Sequence, residues 1–234
     1  LDLHWYPEAQ GGGVRITDAN DSSAVAAARV QAPRSLWDPS YVETSWISTN
    51  VGAIRLLPRL RDKIAEHYPG TRVAFTEYNY GGPTHISGVV AEADVLGILG
   101  REGVFAANLW PLVDPAQQPA IDAAFDAYRN YDGAGSAFGD TSVLANTSDA
   151  GTTSVYASVD SEGGDRLVIV AINKASAPGT AEVTASHSRG LGHAQVYRIA
   201  AVGPPMRQAD LAIASLAFTD TLPPLSVTVY VLRP

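Results

Sequence analysis

The stretch VAFTEYNYGG, from Val73 to Gly82, carries residues suited to a sheet interior up to one carboxylate, Glu77. Tyr78, Asn79 and Tyr80 follow it directly. A carboxyl group at the end of a core strand can donate a proton, accept one, or attack an electrophilic carbon. Aromatic neighbours can stack on pyranose faces and amides can bind hydroxyls, so this setting suits a sugar site. The other reading is a strand-end acid paired with an arginine, or a polar residue in a barrel layer. Glycoside hydrolysis usually takes two carboxyl groups, about 5–5.5 Å apart for retention of configuration and wider for inversion. Glu77 alone has the setting for one of them. Glu8, after Pro7, reads as a loop acid, while Glu92 and Glu102, on or just after a helix, read as solvated.

Other residues fall at neighbouring strand ends. His4, Trp5 and Tyr6 finish LDLHWY, and Trp110 closes AANLW; each can line a sugar cleft with Tyr78 and Asn79, or pack in the core. Trp37, in SLWDPSY, reads equally as a sugar platform on its loop or a plug beneath it. Trp46 reads as packing its own helix. The segment TDANDSS after Ile16 is rich in oxygen donors and can hold a structural cation such as Ca²⁺, but it lacks EF-hand spacing and also reads as a polar turn. The five histidines show no HExxH or similar spacing, so no metal site is expected and no cofactor is required. Gly11 to Gly13 match neither the dinucleotide fingerprint nor a phosphate loop. Asn146 begins a formal glycosylation sequon.

The elements that must position these groups change character along the chain. An amphipathic helix is expected over Val51–His67, with Leu56, Leu60 and Ile64 on its stripe. The strand RVAFTE follows. A helix with Ile86, Val89, Val90, Ala93 and Leu96 inward then leads to the strand GVFAANLW. A last helix runs from Pro119 to Tyr131, burying Ile121, Phe125 and Tyr128. Residues 10–34 read as a loop. Strands alternating with helices at this spacing predict a parallel sheet. The candidate residues sit after the strands, where a (β/α)8 barrel builds its active site. Beyond NYDGAGSAFGD the strands become short and β-branched with Gly/Pro turns, and SEGGD signals a hairpin. The expected domains are therefore 1–135, barrel, and 136–234, an antiparallel β-sandwich that supports rather than catalyses, without a catalytic role for Asp160 or Asp165.

With 234 residues, 46% of them hydrophobic, the chain can bury one large core or two modest ones. A net charge of -8 with scattered Lys and Arg argues against nucleic acid. No run of about 18 apolar residues is present, so no membrane partner is expected. No segment reads as a signal peptide, and the absence of cysteine excludes disulfides and thiolate chemistry. The chain opens in strand pattern without an initiator Met, which reads as a chain cut inside a larger domain.

The stretches HWYPEA, PRSLWDPSYVETSWI, YPGTRVAFTEYNYGG, HISGVVAEADVLGILGREGVFAANLW, YRNYDG, FGDTSV and VYAS occur in order over residues 1 to about 160. Together they resemble glycoside hydrolase family 44, the endoglucanases and xyloglucanases. The resemblance implies a (β/α)8 barrel whose last strands are these, packed on a β-sandwich. It implies retaining hydrolysis of internal β-1,4-glucan linkages by a monomer acting on a polysaccharide or oligosaccharide outside the cell, where a polymer is accessible. The family's nucleophile segment falls on Glu77. The family's acid/base glutamate typically follows an Asn on an earlier strand, and this chain contains no Asn-Glu pair. On the resemblance, the acid/base lies outside this chain, which is then expected to be inactive alone. Another barrel-plus-sandwich glycosidase, such as a xylanase, and a carbohydrate-binding fragment are the alternatives.

Overall fold

The computed structural model describes residues 1–162, 166–187 and 190–233. The chain divides into two compact units, Leu1–Gln118 and Pro119–Pro234.

The first unit is built on three parallel strands, β1 (Asp2–Trp5), β4 (Ala74–Tyr78) and β5 (Ala106–Leu109), with β4 in the middle. Between β1 and β4 the chain forms a small hairpin of β2 (Gln10–Gly11) and β3 (Val14–Arg15). Helices α1 (Ser23–Gln31), α2 (Trp46–Val51) and α3 (Leu56–His67) follow. One helix, α4 (Ile86–Arg101), crosses from β4 to β5. α4 is buried almost all round, with only Ile86 and Leu96 half-buried on its apolar run, and α1 packs along it. A helix this apolar has no solvent face to offer.

Two sequence expectations change here. Residues 10–34 are not a loop. The alanine-rich SAVAAARVQ forms α1, which the Ser22 hydroxyl caps by accepting from the Val25 amide. Pro33, lacking an amide hydrogen, prevents a further α-helical turn, and the chain tightens into a 3-10 segment. The helix expected over Val51–His67 is two helices. Gly52 (φ 67°) ends α2 and Arg55 (φ 49°) precedes α3 in left-handed conformations that interrupt the ladder. Trp46, expected to pack its helix, is 63% exposed at the start of α2.

The second unit begins with α5 (Pro119–Arg129), which buries Ile121, Ala124 and Tyr128 and packs on the last strand. Its strands are β6 (Thr141–Val143), β7 (Thr153–Val159), β8 (Leu167–Asn173), β9 (Gly179–Thr184), β10 (His193–Ile199), β11 (Met206–Arg207), β12 (Leu211–Ala212), β13 (Ala217–Leu222) and β14 (Ser226–Arg233). An antiparallel sheet runs β11-β10-β14-β8-β7-β6, with β12 also on β10, and β9 pairs with β13 in a two-stranded sheet. β8 and β14 are buried on both faces; β8 reads as a near-continuous apolar run, whereas β14 also buries Ser226 and Thr228. Phe218 and Leu222 of β13 pack with Ile169, Tyr230 and Leu232 of the larger sheet. The hairpin signalled by SEGGD is present as the β7–β8 pairing, Val159 opposite Leu167, although residues 163–165 of its turn lie outside the described residues. Asp160 is held by Arg166 at 2.5 Å, and Asp165 lies outside the described residues.

Candidate active site

The register of the three parallel strands sorts the candidate residues. Leu3 lies opposite Phe75, His4 opposite Glu77 and Trp5 opposite Tyr78, so Thr76 is an extra residue on β4. Against β5 the same bulge appears: three steps from Phe75 to Tyr78 face two from Ala107 to Leu109. Side chains alternate along a strand, so an unbroken β4 would send Glu77 to the face of buried Phe75. The extra residue turns it over. Trp5 and Tyr78 then share the core face with Phe75, while Glu77 shares the opposite face with His4, Tyr6 and Trp110.

On that open face the Glu77 side chain is 26% exposed. The Tyr6 hydroxyl donates to its Oε2 at 2.8 Å, and His4 Nδ1 stands 3.2 Å from the same oxygen. Burial, then the hydrogen bond to Glu77 and its charge, push the Tyr6 phenol up to about 12. The phenol therefore stays a donor at any ordinary working pH. Trp110 is 54% exposed one strand over. Its amide donates to the Tyr78 carbonyl at 3.0 Å. Glu8 pairs with Arg15 at 2.7 Å, as a loop acid does.

The core face uses its polar groups internally. The Trp5 indole donates to the Tyr80 hydroxyl at 3.0 Å, and the Tyr78 hydroxyl donates to Glu92 Oε1 at 2.6 Å. Trp5, Tyr78 and Tyr80 are all buried, and burial raises both phenols far above their ordinary value. Asn79 is also buried. Its amide donates to the Trp110 carbonyl at 2.7 Å, and its Oδ1 accepts from the Gly81 amide at 2.7 Å. Trp37 is not brought to Glu77. The Arg101 guanidinium lies 4.2 Å over its ring at the far end of α4, a helix about 24 Å long by its 16 residues.

Two acids expected in solvent are not there. Glu102 is held by Arg61 at 2.5 Å and by Arg101 at 3.1 Å. Glu92 has no exposure at all, because α4 is enclosed where this residue points. Its Oε2 has no hydrogen-bond partner among the described residues, and desolvation, only partly offset by the Tyr78 bond, raises its carboxyl to about 7. In an unfolded chain the group titrates near its ordinary value, so stability is fully present in acid. It is lost as pH rises from there through about 7. With each tenfold change in proton affinity worth about 1.4 kcal/mol, the ionised side chain costs on the order of 3 kcal/mol. Melting temperatures of the protein should therefore fall between pH 5 and pH 8, and Glu92→Gln should flatten that fall and gain most at pH 8. Equal destabilisation by Glu92→Gln at both pH values would refute this origin.

Two oxygens of the TDANDSS segment, on Asn20 and Asp21, already face a cation, the guanidinium of Arg29. This side chain is fully buried and donates to the Ile16 carbonyl at 2.8 Å, the Asn20 carbonyl at 2.9 Å, Asp21 Oδ1 at 2.8 Å and the Ser87 hydroxyl at 2.8 Å. Among the described residues no group of three or more His, Cys, Asp or Glu side chains is arranged to hold a metal ion.

No family model matches the chain. It is 45% identical, over its whole length, to endoglucanase A of Paenibacillus lautus, of which it spans 34%. Two of the solved structures that match all of it show the likeness. One is a glycoside hydrolase family 44 endoglucanase of Clostridium acetobutylium, 39% identical with a TM-score of 0.96. The other is a family 44 xyloglucanase of Paenibacillus polymyxa solved with xyloglucan, 42% identical with a TM-score of 0.96. The chain spans 46% of each of those two proteins.

Proposed function

The chain belongs to glycoside hydrolase family 44, and from that premise we propose that it carries the nucleophile side of a retaining endo-β-1,4-glucanase acting on extracellular β-glucan. The observation that supports this best is the bulge that turns Glu77 onto the open face, where Tyr6 anchors one of its oxygens. In this reading the three parallel strands are part of a (β/α)8 barrel and the β-rich unit is a supporting sandwich.

Glu77, ionised, attacks the anomeric carbon and forms a glycosyl ester as the bond to the leaving sugar breaks. An acid/base carboxyl outside this chain protonates that leaving oxygen, then deprotonates the water that hydrolyses the ester. Two inversions at one carbon give net retention. Tyr6 and His4 both stand at Oε2, so Oε1 is the oxygen left to attack. Trp110 offers an apolar surface beside it, suited to the face of a glucosyl ring. On this reading the chain alone, with no partner carboxyl for protonation, has no turnover.

A fluorinated, slow-hydrolysing β-glucoside tests the reading in the whole enzyme. Inactivation should be time-dependent, and the glycosyl mass should appear on the peptide carrying Glu77. A label on any other residue overturns the assignment. The anomer released from β-glucan should be the β form, and a product profile on β-glucan, xyloglucan and xylan separates a glucanase from a xylanase.

A further inference from the structure

Asn79 stands directly after the Glu77–Tyr78 pair and, by residue type alone, suits a direct contact to a sugar hydroxyl. Its surroundings exclude that use. The side chain is 3% exposed, and both ends of its carboxamide are engaged within the protein. Oδ1 accepts from the Gly81 amide and so closes the turn in which Gly81 takes φ 73°. Nδ2 reaches across to β5 and donates to the Trp110 carbonyl. Trp110 thus has its backbone fixed on both sides, its amide by the Tyr78 carbonyl and its carbonyl by Asn79, while its indole stays half in solvent. Fixing a backbone on both sides of an exposed aromatic orders it before a ligand arrives, which lowers the entropic cost of binding.

We propose that Asn79 is a positioning residue, whose carboxamide holds the Trp110 indole as a platform for a glucosyl ring beside Glu77. The inference rests on the cleft being a glucan site. It assigns Asn79 to substrate binding through Trp110, and neither to the chemistry of Glu77 nor to direct sugar contact.

Asn79→Asp isolates the relevant bond, because aspartate keeps an acceptor for the Gly81 amide but has no donor for the Trp110 carbonyl. In the whole enzyme, with soluble β-glucan as substrate, Trp110→Ala should raise KM about tenfold to a hundredfold. Asn79→Asp should raise KM about fivefold to tenfold, the scale of one lost hydrogen bond to an ordering group. kcat should stay within about threefold in both. In the double variant the Asn79 change should add less than about twofold, since its effect passes through an indole no longer present. Asn79→Ala repeats the cycle without a new charge near Glu77, although it also removes the acceptor of the Gly81 amide, and melting temperatures report whether either variant is folded.

Additive effects in the double variant would overturn the proposal, as direct sugar contact predicts. A fall in kcat with KM unmoved would also overturn it, as action through Glu77 predicts. An unchanged KM in Trp110→Ala removes the platform, leaving the labelling of Glu77 intact. If the wild-type enzyme does not turn over β-glucan, the functional reading fails in that control and takes this inference with it.

Discussion

Replacing Glu77 by glutamine in the whole enzyme should lower turnover of β-glucan by roughly four to six orders of magnitude, the scale on which a covalent catalyst is lost. Glutamine keeps the shape and can still meet the Tyr6 hydroxyl through its carbonyl oxygen, but it has no charge with which to attack. Folding and oligosaccharide binding should be largely retained, because the Glu77 side chain is partly exposed and its partners Tyr6 and His4 are themselves half-buried and exposed. Glu77→Ala should be equally slow, and azide should restore part of the cleavage of an activated aryl glucoside by occupying the vacated space. The azide then attacks the anomeric carbon once, so the glycosyl azide has inverted configuration. A general acid behaves differently: its alanine variant still cleaves substrates with good leaving groups, and its azide adduct is retained. Near-normal turnover in Glu77→Gln, or a retained adduct alone, would mean that Glu77 is not the nucleophile.

Glu77 also marks where sequence patterns stop being sufficient. Its strand-end position and aromatic neighbours are legible, because a run of sheet-forming residues ending in an acid is unusual. Its direction is not. A period-two count from Phe75 points Glu77 into the core, and nothing in VAFTEY signals the extra residue that reverses it. The same alternation explains why a list drawn from strand ends mixes two faces. His4 and Tyr6 face the open side, whereas Trp5 between them is buried, as is Tyr78 after Glu77.

The burial of Glu92 escapes the sequence for a related reason. An acid on a helix reads as surface, but α4 is buried almost all round and the phenol that meets Glu92 comes from β4, 14 positions earlier. Helix α1 is masked in the sequence by the Gly- and Asp-rich residues before it, although Ser22, with four alanines among the six residues after it, is a start signal. Trp37 could not be placed from sequence, because the Arg101 that covers it is 64 positions away.

Arg29→Met should lower the stability of the first unit by about 3 kcal/mol, within the range for removing one member of a buried charged network. The arginine is fully buried, and its donors satisfy two carbonyls, a carboxylate and a hydroxyl from two separate stretches, residues 16–21 and Ser87 of α4. Methionine fills similar volume but satisfies none of them. Asp21 is 37% exposed and can rehydrate, so most of the loss comes from the Ile16 and Asn20 carbonyls and the Ser87 hydroxyl. Lysine, with a point charge in place of a planar fork, should recover only part of the loss. The effect should reach the candidate site through the turn after Glu77, since a Cβ on Gly82 would lie 2.9 Å from the guanidinium and one on Gly81 would lie 2.3 Å from the Ile16 carbonyl oxygen. Activity of Arg29→Met should therefore be lost at lower temperature than in the wild type, in step with unfolding followed by circular dichroism. A chelator separates this account from a cation held by the same oxygens. If the guanidinium is their partner, chelation leaves the wild-type melting temperature unchanged and Arg29→Met alone lowers it. A wild-type protein that loses several degrees to chelator, and regains them with Ca²⁺, would show that these oxygens hold a metal instead.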